Sequence, residues 1–363
     1  MSEFKNPLSR SISKSTVLHF CKKKYYFSTY SNYLNEVDKW LWIQALLAKN
    51  LKSVYMRFGE KMHDLISDYL NLVKTWDDNL DKINKIKEDL INQMDQEYSV
   101  SKNRDYLKYD PNVKFGLTEH YYGYNIDNIY QNWKTKLLED FDKFMKSEIN
   151  KEVKEYFEDK SNILFIEAKE KDFESMKIQI ENIPELMWIN VYAQPDFWII
   201  TTNKDYIIYD RKYWKVPNKD KNLVSNQLKV YAYKILQKIG IENVDNFNIK
   251  GFEVYLKNLE KFGWKITKQD LEDIEKTIIS DTTIQKQFLI NQDIEKNQPL
   301  PSENFPRTND LQKCSNCTFY KVCEELKKFE KTHKIDEINN TDDSVNNDDE
   351  YNDVDCKSKR NDM

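Results

Sequence analysis

Residues 192–215 read YAQPDFWIITTNKDYIIYDRKYWK. Two apolar runs, FWII and YIIY, flank the polar stretch TTNKD, a pattern that specifies an antiparallel hairpin. With the turn centred on Asn203, Asp196 stands directly across from Asp210. Cross-strand neighbours on one face lie about 5 Å apart at Cβ, and like charges so placed repel. Two carboxylates facing each other at the end of an apolar hairpin therefore point to a cation between them. Mg2+ or Mn2+ suits a pair of oxygen donors. Lys212 follows two residues after Asp210 and shares its face of the strand, so its ammonium can approach the same ion-bound water or a phosphate. On this stretch alone, a surface hairpin whose Asp and Lys residues pair at its edge is an equally open reading.

The rest of the chain supplies a core for such a hairpin. Of 363 residues, 39% are hydrophobic and 13% aromatic, enough for one large domain or two ordinary ones. Before Asn162 the texture is helical. A Ser-capped helix, with Ser13 or Ser15 at the cap, is expected to run into Cys21. A second spans about Val54 to Trp76, with Ile66, Leu70 and Val73 at helical spacing and His63 on the same side. A mostly helical region follows to about Asp159, its apolar faces read as Leu80, Ile83, Ile86, Leu90, Met94 and then Ile129, Trp133, Leu137, Phe141, Phe144, with 99–112 as a loop. After Asn162 the segments NILFIEA, LMWINVYA, DFWII, DYIIYDRKYW and IKGFEVYL read as strands. An amphipathic helix over 222–240, ended by Gly240, separates the last two. Another over TKQDLEDIEKTIISDTTIQKQF leads towards the C-terminal cysteines. Beyond Thr332 the chain is Asn/Asp-rich and apolar-poor and is expected to be disordered.

Three further features bear on chemistry. His63 is either a satisfied core histidine or an imidazole completing a metal site. Gln227 and Tyr231 stand four apart on the helix after the hairpin and share a face. Cys314, Cys317 and Cys323 form a C-x2-C-x5-C run, three thiols where metal and iron–sulfur sites usually take four ligands.

Taken in order, His63, Asp196, Asp210-Arg211-Lys212 and Gln227-x-x-x-Tyr231 resemble a RecB-type nuclease domain of the PD-(D/E)xK superfamily. Cys21, with Cys314, Cys317 and Cys323 far downstream, resembles its iron–sulfur branch, which includes CRISPR-adaptation exonucleases and AddB-type helicase–nucleases. The similarity covers about residues 10–326. It departs from the family pattern at Ala193-Gln194-Pro195, where a glycine usually precedes the first Asp, and in the long interval between His63 and Asp196.

The resemblance implies an α/β restriction-endonuclease-like core, a mixed central sheet flanked by helices. A helical insertion would occupy about 77–160, and a C-terminal clasp would tie the chain ends through a 4Fe–4S cluster on Cys21, Cys314, Cys317 and Cys323. The nuclease domain would cover 1–331 and an acidic tail 332–363. His63, Asp196, Asp210 and the Arg211 carbonyl would hold one or two divalent ions. Lys212 would position or deprotonate the attacking water, and Gln227 and Tyr231 would orient Lys212 or the scissile strand. Glu167 would lie nearby. The implied activity is divalent-metal-dependent hydrolysis of DNA, exonucleolytic on single-stranded ends.

Other readings stay open. Four thiolates also suit structural Zn2+. The chain could be a non-catalytic nucleic-acid-binding or scaffold subunit of a helicase–nuclease, repair or defence complex. It has no G-x-x-x-x-G-K-[ST] loop, so a helicase motor would come from a partner. Lys22, Lys23 and Lys24 followed by Tyr25, Tyr26 and Phe27 could stack single-stranded bases or simply shield the cluster. Net charge is −5, but from Asp336 onwards there are 10 acidic and 3 basic residues, leaving a body near neutrality. No apolar run approaches the ~20 residues that span a bilayer, and no signal-peptide h-region opens the chain. A soluble intracellular protein is expected, cytoplasmic, or nuclear if eukaryotic.

Overall fold

The structure, a computed structural model, describes residues 8–36, 38–107, 116–159, 163–167, 175–178, 189–214, 223–239, 246–315 and 317–328. The acidic tail expected beyond Thr332 and the Gly240 helix end lie outside them. Contacts divide the chain into a unit Met1–Val322 and a short second unit Cys323–Met363.

The helices are α1 (Ile12–Phe20), α2 (Lys22–Tyr30), α3 (Lys39–Asn50), α4 (Val54–Lys74), α5 (Leu80–Lys102), α6 (Thr118–Tyr122), α7 (Asp127–Met145), α8 (Glu148–Glu158), α9 (Asn226–Ile239), α10 (Lys268–Lys286) and α11 (Leu311–Ser315). The strands are β1 (Ser9–Ser11), β2 (Leu51–Lys52), β3 (Gly116–Leu117), β4 (Ile163–Glu167), β5 (Ser175–Ile178), β6 (Ile189–Tyr192), β7 (Phe197–Thr201), β8 (Asp205–Lys212), β9 (Asn248–Tyr255) and β10 (Glu260–Lys265). The main sheet runs β10-β9-β8-β7-β4. Only β8 and β9 are parallel within it, which requires a crossover, and α9 supplies it. A smaller sheet runs β1-β6-β5.

The alternation of β8 decides what covers each face of the sheet. Ile207 and Tyr209 join Phe58, Met62 and Ile66 of α4, Leu137 and Phe141 of α7, and Phe157 of α8 in one core. Tyr206 and Ile208 face the other way, into Leu228 and Ala232 of α9 and Ile274 and Ile278 of α10. A central strand buried on both faces has to be apolar on both, and YIIY is. Helix α9 comes so close to β9 that a Cβ on Gly251 would meet Ile266 Cδ1 at 3.0 Å and Leu228 Cδ1 at 3.2 Å.

Several details differ from the sequence expectations. The α1 cap is Ser11, whose hydroxyl accepts from the Lys14 N–H, rather than Ser13 or Ser15; the polar turn offered several equivalent oxygens. The 99–112 stretch is not a loop throughout, because α5 continues to Lys102 and a 3-10 turn follows at Asp105–Leu107. Leu80 and Ile129 are exposed instead of facing the core; both stand in the first turn of their helices. Tyr25, Tyr26 and Phe27 are buried, as is Lys23, whose ammonium donates to the Ser302 carbonyl at 2.6 Å. These rings pack on Phe305 and Phe319 and are no stacking surface for bases. No helix among the described residues is long and apolar enough to cross a membrane.

Candidate active site

The hairpin register follows the turn at Asn203. Phe197 pairs with Tyr209, Trp198 with Ile208 and Ile199 with Ile207, so the next step sets Asp196 opposite Asp210. Arg211 locks this end of the hairpin. Its backbone N–H donates to Asp196 Oδ2 at 2.7 Å and its buried guanidinium to the Asp196 carbonyl at 3.2 Å. From α4, His63 Nδ1 reaches Asp196 Oδ1 at 3.2 Å. Lys212 Nζ lies 2.6 Å from Asp210 Oδ2, a charge contact without hydrogen-bond alignment, since that buried oxygen has no hydrogen-bond partner. The same ammonium donates to Gln227 Oε1 at 2.5 Å, and Gln227 Nε2 donates to the Tyr231 hydroxyl at 2.5 Å. One continuous chain of contacts therefore runs from β8 to two successive turns of α9.

Electrostatics separate the two carboxylates. Burial opposes charge on Asp196, but the His63 imidazole and Arg211 outweigh it and hold the acid well below its usual range. Burial also opposes charge on Asp210. The Lys212 ammonium offsets it in part, the Asp196 and Glu253 carboxylates add to it, and the acid is pushed up to about 7. Burial, then Asp210 and Asp196, raise the Tyr231 phenol.

Glu253 was not singled out from sequence. It is buried on β9 beside Asp210, their Cα positions paired across the parallel ladder, and it accepts from the Tyr255 hydroxyl at 2.8 Å. Within GFEVYL it reads as an ordinary alternating polar residue; only its register with Asp210 marks it. Glu167 ends β4 opposite Trp198 of β7, and its side chain lies outside the description.

The Asp196 and Asp210 carboxylates and the His63 imidazole form a donor set that fits a hard divalent cation. Among the described residues, however, no three His, Cys, Asp or Glu side chains are drawn into a metal-holding group. His63 pairs with Asp196 and Lys212 with Asp210, contacts that a bound cation would have to rearrange.

Among the described residues the cysteines form no metal-holding group. Cys21 sits in extended backbone between α1 and α2, and the Cys317 N–H donates to the Cys314 carbonyl at 3.0 Å. Burial raises the Cys317 thiol; the Phe319 backbone and the Lys24 ammonium oppose the rise, and the Cys21 and Cys314 thiols add to it. From α6, the Tyr122 hydroxyl donates to the Cys317 carbonyl at 3.2 Å. Cys323 opens the second unit.

An α/β sheet carrying opposed aspartates, a lysine on the same strand and a Gln–Tyr pair on the crossover helix defines a site suited to metal-dependent phosphodiester hydrolysis. The PD-(D/E)XK nuclease superfamily model matches residues 9–324, and the chain belongs to that superfamily. Its members are mostly phosphodiester hydrolases acting on nucleic acid, usually with Mg2+ or Mn2+. No curated protein matches the chain.

Proposed function

We propose that this chain is a divalent-metal-dependent deoxyribonuclease of the RecB-type iron–sulfur branch, acting exonucleolytically on single-stranded ends. The observation that carries the reading is the hairpin register, which sets Asp196 against Asp210 with Lys212 on Asp210 and His63 on Asp196. His63, Asp196, Asp210 and the Arg211 carbonyl would hold Mg2+ or Mn2+. The ion would activate water and neutralise charge developing on the phosphate. Lys212 would position the attacking water and steady the charge developing on the phosphate, Gln227 would fix the Lys212 ammonium, and Tyr231 would fix Gln227. Cys21, Cys314, Cys317 and Cys323 would carry a 4Fe–4S cluster, a staple closing a loop of some three hundred residues. Clustered thiols fit a reducing, intracellular setting, and the absence of a phosphate loop fits a separate helicase as partner.

The test is digestion of end-labelled single-stranded DNA with Mg2+ or Mn2+. Wild type should shorten the label progressively, and Asp210→Ala and Lys212→Ala should not. Equal digestion by all three would place the active centre elsewhere. Anaerobically purified protein should be brown, with about four iron per chain, and Cys314→Ala should lose the colour. Stoichiometric zinc in place of iron would refute the cluster.

A further inference from the structure

Tyr55, Gly59 and His63 recur at four-residue intervals on α4 and share one face of that helix. At one end of this face His63 meets Asp196. About 12 Å away along the helix axis, at 1.5 Å rise per residue, stands a cluster of rings. Tyr55 lies 5.6 Å from Trp133 and 5.7 Å from Trp214 between centroids, and the two indoles are 5.2 Å apart. Trp214 packs beside Gly59, where a Cβ would stand in ordinary contact, 3.8 Å from the indole nitrogen. The Lys257 ammonium completes the group, 4.4 Å from the Trp133 ring centre and 5.6 Å from that of Trp214.

This cluster is not a closed core. Tyr55 is 45% exposed, and both indoles are only partly buried at the margin of the α4–α7 core. Its position is also specific. Trp214 follows the last residue of β8 by two, and Lys257 follows the last residue of β9 by two. Both therefore emerge at the end of the parallel strand pair where Lys212 stands, the end at which α/β sheets bind ligands. Trp133 comes from the helical insertion, so the insertion contributes to a surface that leads to the candidate active site. Half-exposed rings joined to an ammonium match the two faces of a single nucleic-acid strand, bases that stack and phosphates that attract cations.

We propose that Tyr55, Trp133, Trp214 and Lys257 form a base-stacking platform for single-stranded DNA beside the active site. The inference rests on the nuclease reading and deepens it by assigning the insertion a part in substrate binding. The roughly 12 Å to His63 corresponds to about three or four nucleotides at ~3.4 Å each along a stacked strand.

The test is metal-free binding of a labelled oligothymidylate of about 12 nucleotides, compared with an abasic strand of equal length and charge. Wild type should bind the base-bearing strand about ten-fold more tightly. Tyr55→Ala, a substitution at an exposed position, should lose most of that preference, and Tyr55→Trp should keep it. Equal binding of both strands by wild type would overturn the platform, as would an undiminished preference in Tyr55→Ala. Tighter binding of oligouridylate or blunt duplex than of oligothymidylate would overturn the assignment to single-stranded DNA. None of these readouts requires cutting. Failure of the nuclease reading would appear separately, as base-dependent binding without metal-dependent digestion.

Discussion

Gln227 touches Lys212 with its carbonyl and Tyr231 with its amide, so in the proposed mechanism it would take no part in bond-making and would fix the Lys212 ammonium. A hydrogen bond to a charged group contributes about 1.5–3 kcal/mol, and each ~1.4 kcal/mol of lost transition-state stabilisation is a factor of ten in rate. Gln227→Ala should therefore lower kcat on single-stranded DNA about ten- to a hundred-fold with KM little changed. A matching rise in KM would instead give Gln227 a role in strand binding. Lys212→Arg should not rescue Lys212→Ala. The planar guanidinium cannot fit a pocket shaped by one ammonium between Asp210 and Gln227. Wild-type turnover by Lys212→Arg would show that only positive charge is needed there.

At the scale of elements, α9 presents Gln227 and Tyr231 correctly only because it lies close on β9 at Gly251. Filling that position forces Ile266 and Leu228 aside, and overpacking of this kind costs about 1–3 kcal/mol. Gly251→Val should lower the melting temperature and reduce activity together, whereas an unchanged melting temperature would show that the helix can retreat freely. The elements most legible in sequence were those whose pattern is dictated by burial. YIIY and FWII had to be strands, and Asn203 had to centre their turn, because both faces of β8 are covered. What escaped notice was shaped by something other than burial. Strand β10, EKFGWK, is largely uncovered and shows no apolar alternation; it exists because β9 offers it a ladder. Strand β1, SRS, is three polar residues held by parallel pairing to β6. Glu253 and the Tyr55 ring cluster are assembled by register and by contacts between distant segments. No local pattern could announce them.

For the whole molecule, a buried ion pair ties the chain's N-terminal strand to a helix distant in sequence. Buried Arg10 donates to Asp281 Oδ2 through Nε at 3.0 Å and Nη2 at 2.7 Å, and Ser15 and His19 hold the same carboxylate. The N-terminal strand is thereby bound to α10 across 271 residues of sequence. Burial opposes the charge, but Ser15, His19 and Arg10 outweigh it and hold the Asp281 acid below its ordinary value. A depressed carboxyl stabilises the fold above its unfolded value of about 3.9, and that contribution fades as pH falls through the lower folded value. Removing one partner of a buried ion pair costs about 3–5 kcal/mol. Asp281→Asn should therefore melt well below wild type at pH 7, and the gap should narrow below about pH 4. A gap that persists at low pH would assign the loss to packing rather than charge.

His63 and Asp196 meet across 133 residues, and the parallel partner that buries Asp210 arrives only with β9. Parallel pairing and long sequence separation make such assemblies slow to form, and chains emerge from the ribosome N-terminus first. A growing chain therefore carries the candidate site residues up to Lys212 before β9 is present to complete the sheet around them. A ribosome-tethered fragment ending ahead of β9 should leave DNA intact, which would spare the cell an unsupervised blade during synthesis.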